Sequence, residues 1–316
     1  MMNSNTVLSI IIPVYNEEES ILELAAEINA VMKDLTEKYE VIFIDDGSND
    51  DSYVKIKSLA DKDSRIIGVR FRKNYGKAAA LSEGFRISNG KMVVTMDSDL
   101  QDDPTEISSL MNRLDEDYDV VSGWKKNRKD PWTKKFPSKI FNLVTRMMSG
   151  IRIHDFNCGL KIYRSDVIKT VKVYGELHRY IPVLAKLAGF RIGELVVNHR
   201  PRKFGKTKFG ASRFLKGFFD LTTVMFLGKF DRNPLHFFGI LGGFLFLAGL
   251  VINGYLTVQW FGGVWIGNRP ILFLGILLMI VGIQFISLGL LAEMITAREE
   301  KLKYSIAERT FGDSDV

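Results

Sequence analysis

Apolar residues along this chain follow two rhythms before a third regime takes over near residue 233. Short, continuous, β-branched runs near 7–14, 40–45, 65–71, 91–97 and 118–122 read as buried strands. Between them, near 17–34, 50–62, 76–88 and 104–116, the spacing is helical. In the first of these helices Ile21, Leu24, Ala25, Ile28, Val31 and Met32 share one face. This alternation with short connections predicts an α/β fold, a mostly parallel sheet covered by helices on both faces. Two further amphipathic helices are expected. One lies near 136–149, with Ile140, Phe141, Leu143, Val144, Met147 and Met148. The other lies near 211–230, where Phe214, Phe218 and Phe219 suit a membrane interface.

From Asn233 to Asn268, and again from Pro270 to Ala292, the chain contains no Asp, Glu, Lys or Arg. Each stretch holds the ~20 apolar residues that a bilayer span requires. Helices near 235–259 and 270–293 are therefore expected to form a transmembrane hairpin. The predicted organisation is a cytoplasmic domain over 1–210, a juxtamembrane helix over 211–233, the hairpin over 234–296 and a tail over 297–316. Met1–Thr6 is polar and the first apolar run is strand-length, so no signal peptide is expected. Lys229 and Arg232 precede the first span, and Arg298, Lys301 and Lys303 follow the second. The positive-inside rule then puts both termini in the cytoplasm of an inner (plasma) membrane protein. Gly239, Gly242, Gly243 and Gly249 give the first span small faces, which leaves self-association as a homo-oligomer open.

Charge sharpens this picture. Of 316 residues, 46% are hydrophobic and the net charge is +6. The positive excess is concentrated in Lys125, Lys126, Arg128, Lys129, Lys134, Lys135 and Lys139, opposed only by Asp130. Beside two spans, and interleaved with Trp124, Trp132 and Phe136, that stripe fits an anionic membrane surface and not nucleic acid. A single cysteine, Cys158, excludes an internal disulfide.

The chemistry sits at predicted strand tips, where open α/β sheets bind ligands. The run Met92-Val-Val-Thr-Met ends in Asp97-Ser98-Asp99, and Val41-Ile-Phe-Ile ends in Asp45-Asp46-Gly47-Ser48. Paired carboxylates at such a tip suit a hard divalent cation completed by a phosphate-bearing substrate. Pro13-Val14-Tyr15-Asn16-Glu17 closes the first strand, where Tyr15 can stack on a base and an acidic side chain can accept from base or ribose. Asn74-Tyr75-Gly76-Lys77 before Ala78-Ala79-Ala80 is a candidate phosphate cradle at a helix N-terminus.

In this order, Pro-Val-Tyr-Asn-Glu, Asp-Asp-Gly-Ser, Asn-Tyr-Gly-Lys-Ala-Ala-Ala-Leu and Asp-Ser-Asp-Leu-Gln-Asp-Asp-Pro resemble the family-2 glycosyltransferases of the GT-A fold. More narrowly, the chain is similar to polyprenyl-phosphate glycosyltransferases such as dolichyl-phosphate mannose synthases and bacterial bactoprenol glucosyltransferases. The resemblance implies that Pro13, Tyr15, Glu17 and Asp46 hold the nucleoside, with Asn16, Asp45, Lys77 and Ser98 beside them. It assigns Asp97, Asp99 and Gln101 to Mg²⁺ or Mn²⁺ and the sugar diphosphate.

In the second half, His154-Asp155-Phe-Asn-Cys158-Gly159-Leu-Lys161 resembles the family's Asp-x-x-Ser-Gly-Phe-Arg segment, with Cys158 for serine and Lys161 for arginine. His199-Arg200-Pro-Arg202-Lys203-Phe-Gly205-Lys206-Thr207-Lys208 resembles its basic loop. Arg128, Arg200, Arg202 and Lys208 are the candidates for the acceptor phosphate and the leaving diphosphate. A phosphate monoester, with a second pKa of about 6, is already a nucleophile at neutral pH. Asp155 is then the one base candidate or merely orients a cation, and His154 and His199 are read as structural.

The expected reaction is inverting transfer of a hexose, glucose from UDP-glucose first, to a polyprenyl phosphate at the cytoplasmic face. GDP-mannose, UDP-N-acetylglucosamine and a modified pentose donor are the alternatives. A non-catalytic membrane scaffold with a nucleotide-binding fold is the alternative of another class. A processive polysaccharide synthase is disfavoured because two spans form no conduit and no Gln-x-x-Arg-Trp occurs.

Overall fold

The computed structural model describes residues 6–36, 38–126, 142–147, 149–171, 173, 177–201, 203–204, 234–267 and 269–299. The chain divides into two compact units, Met1–Met225 and Phe226–Val316. In the first, β1 (Leu8–Val14), α1 (Ile21–Leu35), β2 (Tyr39–Asp45), α2 (Ser52–Ala60) and β3 (Ile66–Arg70) succeed one another. Then come α3 (Lys77–Ile87), β4 (Met92–Thr95), α4 (Glu106–Asp115), β5 (Val120–Trp124), β6 (Lys161–Arg164) and β7 (Ile192–Val196). The sheet order is β3-β2-β1-β4-β6-β5-β7. After stepping outward through β2 and β3, the chain returns to place β4 on the other flank of β1. Strand order therefore reverses between β1 and β4, which opens a crevice at their C-terminal ends.

Burial explains why the apolar runs become central strands. Ile10, Ile12 and Val14 of β1 pack with Ile21, Leu24 and Ile28 of α1 and with Ile107, Leu110 and Leu114 of α4. Ile11, on the opposite face, joins Ala78, Leu81 and Phe85 of α3. Each fully buried aliphatic side chain contributes roughly 1.5–3 kcal/mol of apolar burial. Both faces of the sheet are thus covered, as the alternation predicts.

Several boundaries move for local reasons. Pro13 does not end the β1 ladder, because β1 pairs with β2 through Val14↔Asp45. On the β4 side, however, pairing stops at Ile11↔Thr95. The Ile11 carbonyl accepts from Met96 on that side, and the Val14 carbonyl from Asp46 on the other. By alternation Pro13 faces the β4 side just past the paired stretch, where its missing N–H costs nothing. The first helix begins at Ile21 and not at 17, since residues 18–20 form a turn.

β6 and β7 lie outside the expected strands. Lys161-Ile-Tyr-Arg164 is short and charged at both ends, so it carries little periodic signal. It nevertheless pairs antiparallel with both β4 and β5. β7 runs parallel to β5. Two reversals across β6 leave β5 parallel to β4, so the tips of β1, β2, β4, β5 and β7 share one edge. Residues 142–147 are helical, within the expected 136–149 helix. Residues 127–141, with most of the basic stripe, and the expected 211–230 helix fall outside the described residues.

The second unit is a pair of helices, Pro234–Phe261 and Pro270–Glu299. Both are long and apolar enough to cross a membrane, and only 11% of each apolar window is buried. Lipid is the medium that suits such an apolar, exposed pair. A Cβ on Gly242 would lie 2.6 Å from the Gly282 carbonyl oxygen, and one on Gly249 would lie 2.5 Å from that of Gly275. These glycines let the two backbones approach within the same chain. Gly242 and Gly249 therefore serve close contact within the hairpin.

Ile162, fully buried between β4 and β5, carries the unexpected β6. Ile162→Ala should destabilise the protein by about 2–5 kcal/mol. Denaturant unfolding of the catalytic unit within the full chain measures this, and a loss of under about 1 kcal/mol would contradict the placement of β6.

Candidate active site

The tips of β1 and β2 build one flank of the shared edge. Asn16 takes the left-handed conformation at φ 51°, a region in which asparagine is favoured among non-glycine residues. Its N–H donates to Ser48 Oγ at 2.9 Å and its Oδ1 accepts from the Asn49 N–H at 2.8 Å. The Glu17 N–H donates to Ser52 Oγ at 3.0 Å and the Glu18 N–H to Asp50 Oδ2 at 3.2 Å. The loops after β1 and β2 are thereby stitched together.

Asp46 turns to the next loop, where it accepts from the N–H groups of Tyr75 at 2.7 Å and Gly76 at 2.9 Å. Burial pushes its carboxyl up from the usual range against the pull of those two N–H groups, and neighbouring Asp45 pushes the same way. Asp45, fully buried, accepts from the Ser48 N–H at 2.9 Å and pairs with Arg70 Nε at 3.3 Å. Gly47 has φ 73°, and a Cβ there would lie 2.5 Å from the Lys73 carbonyl carbon. The loop after β2 and the end of β3 with the residues that follow it enclose an open hollow of about 320 Å³ lined by Gly47, Ser48, Asn49, Arg70, Phe71 and Arg72. Asp45 and Asp46, expected to face a nucleoside, hold these loops in place in the structure. Arg72, part of the basic turn read from the sequence as a phosphate cradle, lines the space with Arg70 and Phe71, which sequence reasoning passed over.

The centre of the edge is Asp97. Its carboxylate pairs with the Lys77 ammonium, and its N–H donates to Asp102 Oδ2 at 3.0 Å. About a third of its side chain, 32%, stays exposed. Burial opposes ionisation, but Lys77, Lys125 and Lys161 together outweigh it and hold the carboxyl well below the usual range. Gly159, at the entry to β6, leaves the room: a Cβ there would sit 2.5 Å from Asp97 Oδ2 and 2.6 Å from its Cγ. The Gly159 carbonyl in turn accepts from Thr95 Oγ1 at 2.9 Å.

Behind Asp97 lies a buried polar layer that the motif reading did not anticipate. Lys125, 8% exposed, pairs with fully buried Asp102 at 2.8 Å. Burial works to lower its ammonium, yet Asp102 raises it above its ordinary value. Lys161 is also buried and donates to the Cys158 carbonyl; burial pushes its ammonium down. Burial likewise pushes the Cys158 thiol up to about 12. Lys161 therefore shapes the field behind Asp97 and is not an open phosphate grip.

Asp99 Oδ1 accepts from the Gln101 N–H at 3.2 Å. The Gln101 side-chain amide points to the Arg200 carbonyl at 3.5 Å, so it serves the seam between these segments. Among the described residues no group of three or more His, Cys, Asp or Glu gathers as a metal cluster. Mg²⁺ and Mn²⁺ need no such cluster, since one or two carboxylates suffice when phosphates and waters complete the shell. Asp97, part-exposed in the cradle that Gly159 leaves, together with Asp99 fits that donor set.

Arg200 lies in a stretch that returns along this edge, bridged at Asp102↔His199. Its guanidinium meets Asp103 at 2.8 and 3.2 Å and Glu27 at 2.7 Å. It is a clamp between β7's extension, the Asp97 loop and α1, which corrects the expectation of an open anion site. Asp155 is 3% exposed and accepts from the Asn157 N–H at 3.1 Å, so it organises its own loop. Pro13, Tyr15, Glu17 and Ser98 all stand at the edge, on β1 or the turns after β1 and β4. Arg128, Arg202 and Lys208 lie outside the described residues.

A family model described as glycosyl transferase family 2 matches residues 9–172, just over half of the chain. The dodecaprenyl-phosphate galacturonate synthase of Rhizobium johnstonii is 37% identical over 315 residues, covering 97% of this chain and 93% of that protein. The chain belongs to glycosyl transferase family 2. The undecaprenyl-phosphate 4-deoxy-4-formamido-L-arabinose transferase of Pseudomonas paraeruginosa is 35% identical to this glycosyltransferase, covering 92% of this chain and 85% of that one. Among solved structures, glucosyl-3-phosphoglycerate synthase from Mycobacterium tuberculosis with Mn²⁺, UDP-glucose and glycerol 3-phosphate matches at a TM-score of 0.51 and 17% identity. That match covers 71% of this chain and 80% of the other, and it shows a shared fold.

Gly159→Ala forces a methyl group into the Asp97 carboxylate and should lower sugar transfer about 100-fold, the scale of a 1 Å misplacement at a reacting centre. Steady-state rates alongside the thermal unfolding midpoint test this. Full activity in a folded variant would show that Gly159 does not set Asp97.

Proposed function

We propose that this family-2 glycosyltransferase moves a modified sugar from a nucleotide donor to a polyprenyl phosphate at a membrane surface. The observation that carries this reading is likeness along nearly the whole chain, hairpin included, to two enzymes named for polyprenyl-phosphate acceptors. Glucose, the first expectation for the sugar, loses support, because the sugars in those names are galacturonate and 4-deoxy-4-formamido-L-arabinose. A modified pentose, one of the alternatives, fits better.

The chemistry is dictated by charge. An acceptor phosphate oxygen attacks the anomeric carbon, the bond from that carbon to the diphosphate breaks, and the nucleoside diphosphate leaves with the electron pair. A dianionic acceptor brings no proton that must be removed first. Buried Asp155 is then better placed as a loop organiser than as a base.

The difficulty is bringing two anions together and neutralising the leaving group. Asp97 and Asp99 would hold a divalent cation, which when bound supplies charge to the leaving diphosphate. Lys77, now paired with Asp97, is in reach of the same diphosphate. Tyr15, Asn16 and Glu17 stand beside the hollow on the β1–β2 flank, where the nucleoside would lie. Arg128, Arg202 and Lys208 remain candidates for the acceptor side, and the site with both termini is assigned to the cytoplasmic face.

Purified full-length protein, a divalent cation, a short-chain polyprenyl phosphate and a panel of labelled nucleotide-sugars test this reading. The panel includes galacturonate, 4-deoxy-4-formamido-arabinose, glucose and mannose donors. A modified sugar should transfer at least about tenfold faster than glucose, the discrimination one or two contacts supply. Asp97→Asn and Asp99→Asn should each lower transfer about 100-fold or more. Preference for glucose would overturn the donor assignment, and undiminished transfer by both variants would overturn the cation assignment.

A further inference from the structure

Beyond Asp97 the same edge carries a second assembled set of side chains, drawn from β5, β7 and the loop before β6. The His154 imidazole lies flat on the Trp124 indole, with ring centroids 4.0 Å apart and planes 13° apart. Its Nδ1 stands 2.7 Å from Glu194 Oε2. The other oxygen of Glu194 accepts from the N–H of His154 at 2.6 Å and of Asp155 at 3.1 Å. One carboxylate thus fixes the ring and the backbone that bears it. Glu194 is 12% exposed and His154 47% exposed. A half-exposed contact of this kind adds little stability, so this degree of ordering of one ring points to a ligand. With Nδ1 engaged by Glu194, Nε2 is the nitrogen that faces it. Among the described residues, Lys126, whose ammonium lies 5.5 Å from the Trp124 ring, Glu194 and the neighbouring Asp155 are charged groups beside the stack.

Position along the edge identifies the ligand. In a single in-line displacement the nucleophile reaches the anomeric carbon opposite the departing diphosphate. Nucleoside, diphosphate, sugar and acceptor therefore stand in a row. The sheet offers that row as β2 and β1, then β4 with Asp97, then β6, then β5 and β7. Strands stand ~4.8 Å apart, so β5 lies ~10 Å beyond β4. Gly159, against Asp97, starts the stretch in front of β6 that one sugar ring would span. Past that stretch, at β5, His154 rests on Trp124.

We propose that His154, held by Glu194 and Trp124, binds the phosphate of the polyprenyl acceptor through Nε2. The assignment rests on the polyprenyl-phosphate reading above. The Nε2 proton lies in the hydrogen bond between that nitrogen and a phosphate oxygen. It stays on Nε2 while another oxygen of the same phosphate attacks the anomeric carbon and the nucleoside diphosphate leaves.

The test is steady-state kinetics of the full chain with a short-chain polyprenyl phosphate, paired with calorimetry of nucleotide-sugar binding. His154→Ala should raise the KM for the lipid phosphate about 10- to 100-fold, as expected for a hydrogen bond to a charged group. The donor dissociation constant should stay within about twofold, because the donor contacts lie on the β1–β4 side. His154→Gln, which restores a donor nitrogen, should recover part of the loss, and Glu194→Gln should fall between. Unchanged acceptor KM in folded His154→Ala would overturn the role, as would a weakened donor with a normal acceptor, which would place the ring on the sugar. If the wild-type enzyme moves sugar to no polyprenyl phosphate, the acceptor reading falls and this role falls with it. Wild-type transfer with His154→Ala unaffected refutes the role alone.

Discussion

The ion pair of Asp97 and Lys77, wedged against Gly159, is the contact on which the rest of the site depends. It joins three segments distant in sequence: the loop after β4, the start of α3 and the entry to β6. Asp97 brings the reversal point of the sheet and its antiparallel insertion into one place. The rest of the catalytic unit can be read as support for that carboxylate. Asp102 takes its N–H, Lys125 neutralises Asp102, and the Arg200 clamp presses the following strand segment onto the loop. An unpaired buried charge among these groups would cost several kcal/mol, so the layer holds its charges as matched partners. Asp97 is the carboxylate of this layer that is both paired and about a third exposed, the combination a ligand-exchanging group needs.

The two flanks of the edge differ in construction, and that difference suits two substrates. On the β1–β2 flank, backbone N–H groups and short polar side chains tie the loops together beside an open hollow. On the β5–β7 flank, aromatic stacking and a single carboxylate fix one exposed ring. The hairpin answers a different requirement. Its glycines recur every seven residues, at 242 and 249 and at 275, 282 and 289, which keeps them on one face of each helix. Close backbone contact replaces the hydrophobic effect that lipid removes.

How far the sequence reveals this depends on the range of each interaction. The central strands and α1–α4 declare themselves because burial on one or two faces leaves a period in the residues. β6 does not, because four residues with charged ends carry no period, and its place is set by pairing with strands about 40 to 70 positions earlier. Asp97 is legible from the Asp-Ser-Asp tip. The loop contacts of Asp45 and Asp46 are not, since a carboxylate that ties loops and one that meets a ligand look alike in a motif. Lys125 reads as part of a basic surface stripe, and only its burial beside Asp102 shows otherwise. His154 reads as structural, and its contact with Glu194, 40 residues on, leaves no trace in a local motif.

In the function proposed above, Asp97 would exchange its bond to Lys77 for a cation carrying the nucleoside diphosphate. Electron paramagnetic resonance of Mn²⁺, titrated into full-length protein with and without nucleoside diphosphate, measures that exchange. Tight Mn²⁺ binding should appear only with the diphosphate and should vanish in Asp97→Asn. Equal Mn²⁺ binding by the wild type and Asp97→Asn in the presence of the diphosphate would contradict it.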